Sequence, residues 1–272
     1  MLDHVVVEGK VGVLVSGDTA LVIDTGMTAE DGAAIAAFLR DRDLEDVNVA
    51  FTHGHGDHVL GSGPFRGRRV HAHRLTNQTI DRNLPALAAR FFGGSLDAAE
   101  RTIARPTVTF DDELTLDIGG RVVRLLHTPG HSPDSSCVLV VDDGVLFAGD
   151  TAVTVIVPAI NDGDGRILEG TLRSLSALGA ETLVPGHGAV VVGRDAVRHE
   201  LVRMAEYLGG VRDAVRRAAA RGLDAAAVVD AVTPDPLLVA LGRDPERFSQ
   251  RKRHRDVTTR IAAEEGLPVA AN

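Results

Sequence analysis

His53, His55, Asp57 and His58 occupy four of the six positions 53–58, in the stretch FTHGHGDHVLG, with glycine at the two positions between. A chain that crowds three imidazoles and a carboxylate into one turn has few ways to fold around them, because every buried polar group needs a partner. The turn is therefore either a metal site or a run of polar loop residues. VNVAFT (47–52), just before it, reads as a buried strand that ends where the cluster begins. Further candidate ligands recur where other apolar runs end. LLHTPGHSPDSS supplies His127 and His131, VLFAGDTAV supplies Asp150, and TLVPGHGAV supplies His187. Rigid strands can place loop ligands of this kind accurately.

The rest of the chain alternates strand-like and helix-like segments. HVVVEG, VGVLVSGD and ALVIDTG are Val-rich runs parted by Gly-Lys and Gly-Asp turns, which predicts an antiparallel meander. Thr28 and Asp31 have capping-box spacing ahead of an apolar stripe of Ile35, Phe38 and Leu39. Residues 75–105 read as helix broken at FFGG, and a second set of strands follows in TVTF, ELTLDI, RVVRLLH, CVLVV and VLFAGD. A helix is expected near 167–178, and the chain from Arg194 onward is helical and rich in Ala and Arg.

Composition narrows the function. With 38 acidic residues against 29 basic ones the formal net charge is −9, which lacks the basic footprint of a general nucleic-acid binder. Aromatics are 3% with no Trp, so stacking platforms for bases are scarce. Cys137 is the single cysteine, which excludes an intramolecular disulfide and fits a reducing compartment. No run approaches the roughly 20 apolar residues of a membrane span. MLDHVVVEGK lacks the basic start and long apolar region of a signal peptide. The expectation is a cytoplasmic protein with no membrane and no nucleic-acid partner; its oligomeric state is not encoded in any of these features.

The order HxHxDH, TPGHS, an apolar strand ending in GD, and PGH resembles the metallo-β-lactamase superfamily, with the match running from LVIDTG to PGHG, residues 21–188. The resemblance implies an α+β fold, the four-layer αββα sandwich with its metals at one end. On this chain it would occupy residues 1–194, with 195–272 a helical C-terminal extension packed on the same domain. It implies that His53, His55 and His131 hold one metal, that Asp57, His58 and His187 hold a second, and that Asp150 bridges them. Asp57 and Asp150 are the catalytic candidates through the metals they hold. Imidazoles with carboxylates suit two Zn²⁺, with Mn²⁺ or Fe²⁺ as alternatives. Two such ions can share a hydroxide as nucleophile and polarise a substrate oxygen. Asp24 resembles a family position that supports the site from behind; a plain strand-to-turn aspartate is the other reading. His127, His71 and His73 are expected outside the ligand set, as strand-end, solvated or supporting residues.

Departures from individual branches shape the functional expectation. His55 stands where flavodiiron members have glutamate, and Val153 stands where acyl-homoserine-lactone lactonases resemble one another in a tyrosine. True β-lactamases usually lack the bridging aspartate, and the long insertion of RNA-cleaving members is absent. The expected activity is hydrolysis of a small ester, thioester, lactone or lactam. Residues 84–96 and 151–160, both apolar, are expected to flank the site and favour a lipophilic acyl substrate. The rivals are a mononuclear iron sulfur dioxygenase using His53, His131 and Asp150, and a metal-binding scaffold without catalysis. NDGDG (161–165) reads as a turn, RKRHR (251–255) as a solvated helix face, and Tyr207 as a packing residue.

Overall fold

The computed structural model describes residues 9–267, so the strand expected at 4–9 lies outside the described residues except for Gly9. The chain runs through β1 (Gly12–Ser16), β2 (Thr19–Ile23), α1 (Ala29–Arg40), β3 (Asp46–Ala50), the one-turn α2 (Gly56–Val59) and a 3-10 turn (Leu60–Phe65). There follow β4 (Arg69–His73), α3 (Thr76–Phe91), α4 (Leu96–Arg101), β5 (Val108–Phe110), β6 (Glu113–Ile118), β7 (Arg121–His127), β8 (Ser136–Val140) and β9 (Val145–Gly149). Then come α5 (Gly165–Ser176), β10 (Thr182–Pro185), β11 (Val191–Val192), α6 (Arg194–Ala219), α7 (Ala225–Ala231), α8 (Pro234–Leu241) and α9 (Gln250–Glu264). The described residues form two compact units, one of residues 9–128 and 134–149, the other of 129–133 and 150–267.

In the first unit one sheet has the order β1-β2-β3-β4-β5. The predicted antiparallel pairing holds for β1 and β2, whereas β2 to β5 run parallel. The change has a simple cause: helical segments separate β2, β3, β4 and β5, and a crossover of that length returns the chain in the same direction. α1 begins at the expected capping box, with Thr28 Oγ1 accepting from Asp31 N and the Asp31 carboxylate accepting from Thr28 N. Side chains alternate across the sheet with period two. Ala20, Val22, Val47, Val49, Val70 and Ala72 pack under Ile35 and Leu39 of α1 and Ile80 of α3. Leu21, Ile23, Ala50 and Phe110 face the opposite way, onto Ile118, Val123, Leu125, Val138 and Val140 of the second sheet. Within this unit that second sheet runs β9-β8-β7-β6, antiparallel throughout.

The second unit holds the antiparallel pair β10 and β11 and the helices from α5 onward. α5 buries Leu168, Leu172 and Leu175 along one stripe. Asp164 caps it, accepting from Arg166 N and Ile167 N, so NDGDG is a turn that ends in a helix cap. The buried Arg212 of α6 binds Glu169 of α5 and Glu264 of α9, tying three helices together. The α+β class and the helical C-terminal extension, α6–α9, are thus as the sequence predicts. No described helix is long and apolar enough to cross a membrane.

Candidate metal centre

In the first unit, β3 delivers the histidine cluster and the turn after β2 holds it. Asp24, in the left-handed region at φ 57°, is buried. Its Oδ1 accepts from Thr52 N at 2.8 Å and its Oδ2 accepts from the Thr52 hydroxyl at 2.7 Å. Oδ2 also lies 2.8 Å from Nδ1 of His58. An ionised carboxylate only accepts, so Nδ1 of His58 carries the proton. The Thr52 hydroxyl spends its hydrogen on Asp24, so Nδ1 of His53, 3.1 Å away, must donate to the Thr52 oxygen. One carboxylate thereby fixes the tautomer of two histidines, and each presents Nε2 as its lone-pair nitrogen. Thr25 adds to the hold on His58, donating from both its N and its hydroxyl to the His58 carbonyl. Of the two readings of Asp24, the supporting role is the observed one. The rings of His55 and His58 lie 4.5 Å and 4.2 Å from that of His53.

The glycines of the cluster answer to their neighbours rather than to turn geometry, since neither Gly54 nor Gly56 has positive φ. A Cβ at Gly54 would stand 2.9 Å from the Thr76 carbonyl oxygen, and one at Gly56 would stand 2.6 Å from Leu87 Cδ2. α3 therefore lies directly against the cluster and leaves no room for a side chain. Asp134 fastens the same contact: Oδ2 accepts from Gly54 N and Oδ1 from Thr79 Oγ1, both at 2.8 Å. The sequence reading missed this buried aspartate, and also Thr52. A carboxylate just after a TPGHSP turn was the available signal for Asp134, but its partners lie 80 and 55 residues away.

In the second unit, Nε2 of His187 lies 3.3 Å from Asp150 Oδ1, and Nε2 of His131 lies 3.8 Å from Asp150 Oδ2. Nδ1 of His131 sits 2.8 Å from the Ala159 carbonyl, an acceptor, so here too Nδ1 is protonated and Nε2 faces the carboxylate. Thr154 N donates to the His187 carbonyl, joining the loops that bear Asp150 and His187. The seven candidates, each able to offer one ligand atom to a metal ion, fall into two sets by unit: His53, His55, Asp57 and His58 in the first, and His131, Asp150 and His187 in the second. Imidazole Nε2 atoms with fixed tautomers, set beside carboxylate oxygens, are a donor set that fits zinc and similar divalent ions.

His127 belongs to neither set; its ring stacks on that of His73 at 3.9 Å and 6°. His71 and His73 are buried rather than solvated, at 4% and 2% exposure. Burial, reinforced for His71 by Arg69 and for His73 chiefly by His127, lowers both to about 4. The unfolded chain takes up these protons more readily, near pH 6.5. Their contribution to stability is therefore intact above about pH 6.5 and lost as pH falls toward about 4. Denaturant midpoints of the metal-free protein are expected to fall between about pH 7 and about pH 5. The fall should be shallower in His71→Gln; an identical slope in that variant would exclude His71 as a source.

Tyr207 is buried, with its hydroxyl 2.8 Å from His254 Nδ1, which is the packing role expected. RKRHR is largely the ion-paired outer face of α9, but His254 turns inward and Arg253 is half-buried. In the segments expected to flank the site, Phe91 and Leu96 are exposed. Val153, Ile156, Val157 and Ile160 instead turn into the protein interior.

A family model described as metallo-beta-lactamase superfamily matches residues 5–187, and the chain belongs to that superfamily. Its fold is accordingly the α+β fold of that superfamily. The chain is 25% identical over 256 residues to a linear primary-alkylsulfatase of a Pseudomonas strain, covering 80% of this chain and 48% of that protein. It is 28% identical over 182 residues to an atrochrysone carboxyl ACP thioesterase of Emericella nidulans, covering 66% and 52%. The chain thus spans about half the length of the curated relatives it matches. A metallo-beta-lactamase family protein from Thermus thermophilus shares the fold with a TM-score of 0.64 at 22% identity, over 93% of this chain and 88% of that one.

Proposed function

We propose that the chain is a metal-dependent hydrolase with a dinuclear centre, acting on a small ester, thioester, lactone or lactam. The observation that carries the reading is the set of fixed tautomers. Asp24, Thr52 and the Ala159 carbonyl commit His58, His53 and His131 to present Nε2, an arrangement suited to ligation and expensive to build for any other purpose. His53, His55 and His131 would hold one ion, Asp57, His58 and His187 the other, and Asp150 would join them. A divalent pair, zinc by the chemistry of these donors, would supply a Lewis acid and a water acidified far below its bulk pKa. The chain's own part is to hold these donors in place: Asp24 and Asp134 brace the cluster, and α3 walls it with Leu87. The thioesterase and alkylsulfatase names among the relatives support hydrolysis of an acyl or related ester. Exposed Phe91 and Leu96, on and just beyond α3, favour a lipophilic portion in the substrate.

Elemental analysis of the purified protein, with a panel of chromogenic esters, thioesters, lactones and lactams, tests the reading. Two zinc or manganese ions per chain with turnover of at least one acyl class is the expected result. A single iron per chain with oxygen uptake on a sulfur substrate would replace hydrolysis with oxygen chemistry.

A further inference from the structure

The loop that follows Asp150 is gripped by the C-terminal helices. Arg243 is buried, and its guanidinium donates to the carbonyls of Val153 at 2.8 Å and Ile156 at 3.1 Å and to the carboxylate of Glu200 at 2.7 Å. Gln250, in the first turn of α9, donates to the Val155 carbonyl at 2.8 Å and accepts from Val157 N at 3.2 Å. The face of α9 that bears Gln250 is thus the face turned toward the loop, and Arg253, one turn on, shares it.

Arg253 differs from its neighbours in how its charge is met. Arg251 pairs with Asp235 and Glu246, Arg255 with Asp230, and Lys252 with Asp256. Arg253 makes one hydrogen bond, from Nε to the Phe248 carbonyl at 3.0 Å, and its two terminal nitrogens make none to any described residue. Burial is the strongest influence on this half-buried guanidinium and pushes it below the usual arginine range. Asp256 and Asp150 oppose that effect through their charge. Lys252 already takes Asp256, and Asp150 is set against His131 and His187. A partly desolvated guanidinium with its fork left open, within the field of the loop's metal-ligand aspartate, is built to receive an oxyanion in two-pronged fashion.

We infer that Arg253 is a specificity-determining residue that binds a carboxylate borne by the substrate's acyl chain, in addition to the acyl group that reacts. The inference rests on the hydrolase reading and deepens it by naming an anionic acyl substrate. It adds an anionic group to the lipophilic acyl substrate expected from the sequence.

Binding separates the two readings. Calorimetric titration of the metal-loaded protein with glutarate and with pentanoate compares two ligands of equal chain length, of which only glutarate has a second carboxylate. Glutarate is expected to bind about tenfold more tightly, as a charge-assisted hydrogen bond would give. Arg253→Met should abolish the difference while leaving pentanoate unchanged, and Arg253→Lys should restore part of it. With glutaryl and pentanoyl thioesters, the same variant should raise KM for the glutaryl substrate alone. Equal affinity for the two ligands in the wild type, or a difference that survives Arg253→Met, would overturn the proposal. If neither these thioesters nor any ester, lactone or lactam of the panel is cleaved but glutarate is still preferred through Arg253, the hydrolase reading fails and the oxyanion site stands.

Discussion

Asp150→Ala is expected to bring bound metal down to one ion or fewer per chain and hydrolysis down by at least about 100-fold. Loss of a supporting residue around a metal typically costs about 10–100-fold, and a carboxylate that would join both ions of the proposed centre should lie at or beyond the upper end of that range. The geometry behind the expectation is unequal but clear: His187 Nε2 approaches one oxygen at 3.3 Å and His131 Nε2 approaches the other at 3.8 Å. His127→Ala is the matched control, since its ring is stacked on His73 and belongs to neither ligand set. It should retain metal by elemental analysis. Comparable metal loss in the two variants would show that the wrong histidine has been assigned to the centre.

The second large effect should come from Asp24, which has no ligand role of its own. Asp24→Asn keeps the shape but removes the charge that holds the Nδ1 proton of His58 and, through Thr52, that of His53. Metal affinity, read by competition with a chromogenic chelator, is expected to fall about 10–100-fold. Asp24→Ala should in addition cost the metal-free protein about 2–3 kcal/mol, because the buried Thr52 N–H and hydroxyl lose a charged acceptor. Unchanged chelator competition in both variants would mean that these histidines keep their orientation without the carboxylate.

How far the sequence could be read depended on the distance between partners. The cluster at 53–58 and the capping box at Thr28 were legible because their meaning lies within a few residues, as were the strands that deliver the candidate ligands. The direction of β3, β4 and β5 was not visible in the Val-rich runs themselves, which look alike in parallel and antiparallel sheets. Alternation placed His71 and His73 on one strand face, but nothing local says that Asn48 and His127 close over that face. Gly54 and Gly56 suggested a tight turn, when the cause is a helix that starts about twenty residues later and crowds them. Arg253 lay inside a basic run whose other members are ordinary surface pairs, so its half-burial could be found only in three dimensions.

The grip of Arg243 and Gln250 on residues 153–157 bears on how this chain can be altered. Grafting a relative's version of this loop onto the chain would change the backbone carbonyls that these two side chains recognise, and the graft would arrive without its anchors. A buried guanidinium left facing the wrong carbonyls is a heavier penalty than any mismatch among the apolar loop side chains. Residues 153–157 and their anchors Arg243, Glu200 and Gln250 therefore form one structural block, and transplanting the block whole is the route that keeps both the anchors and the fold.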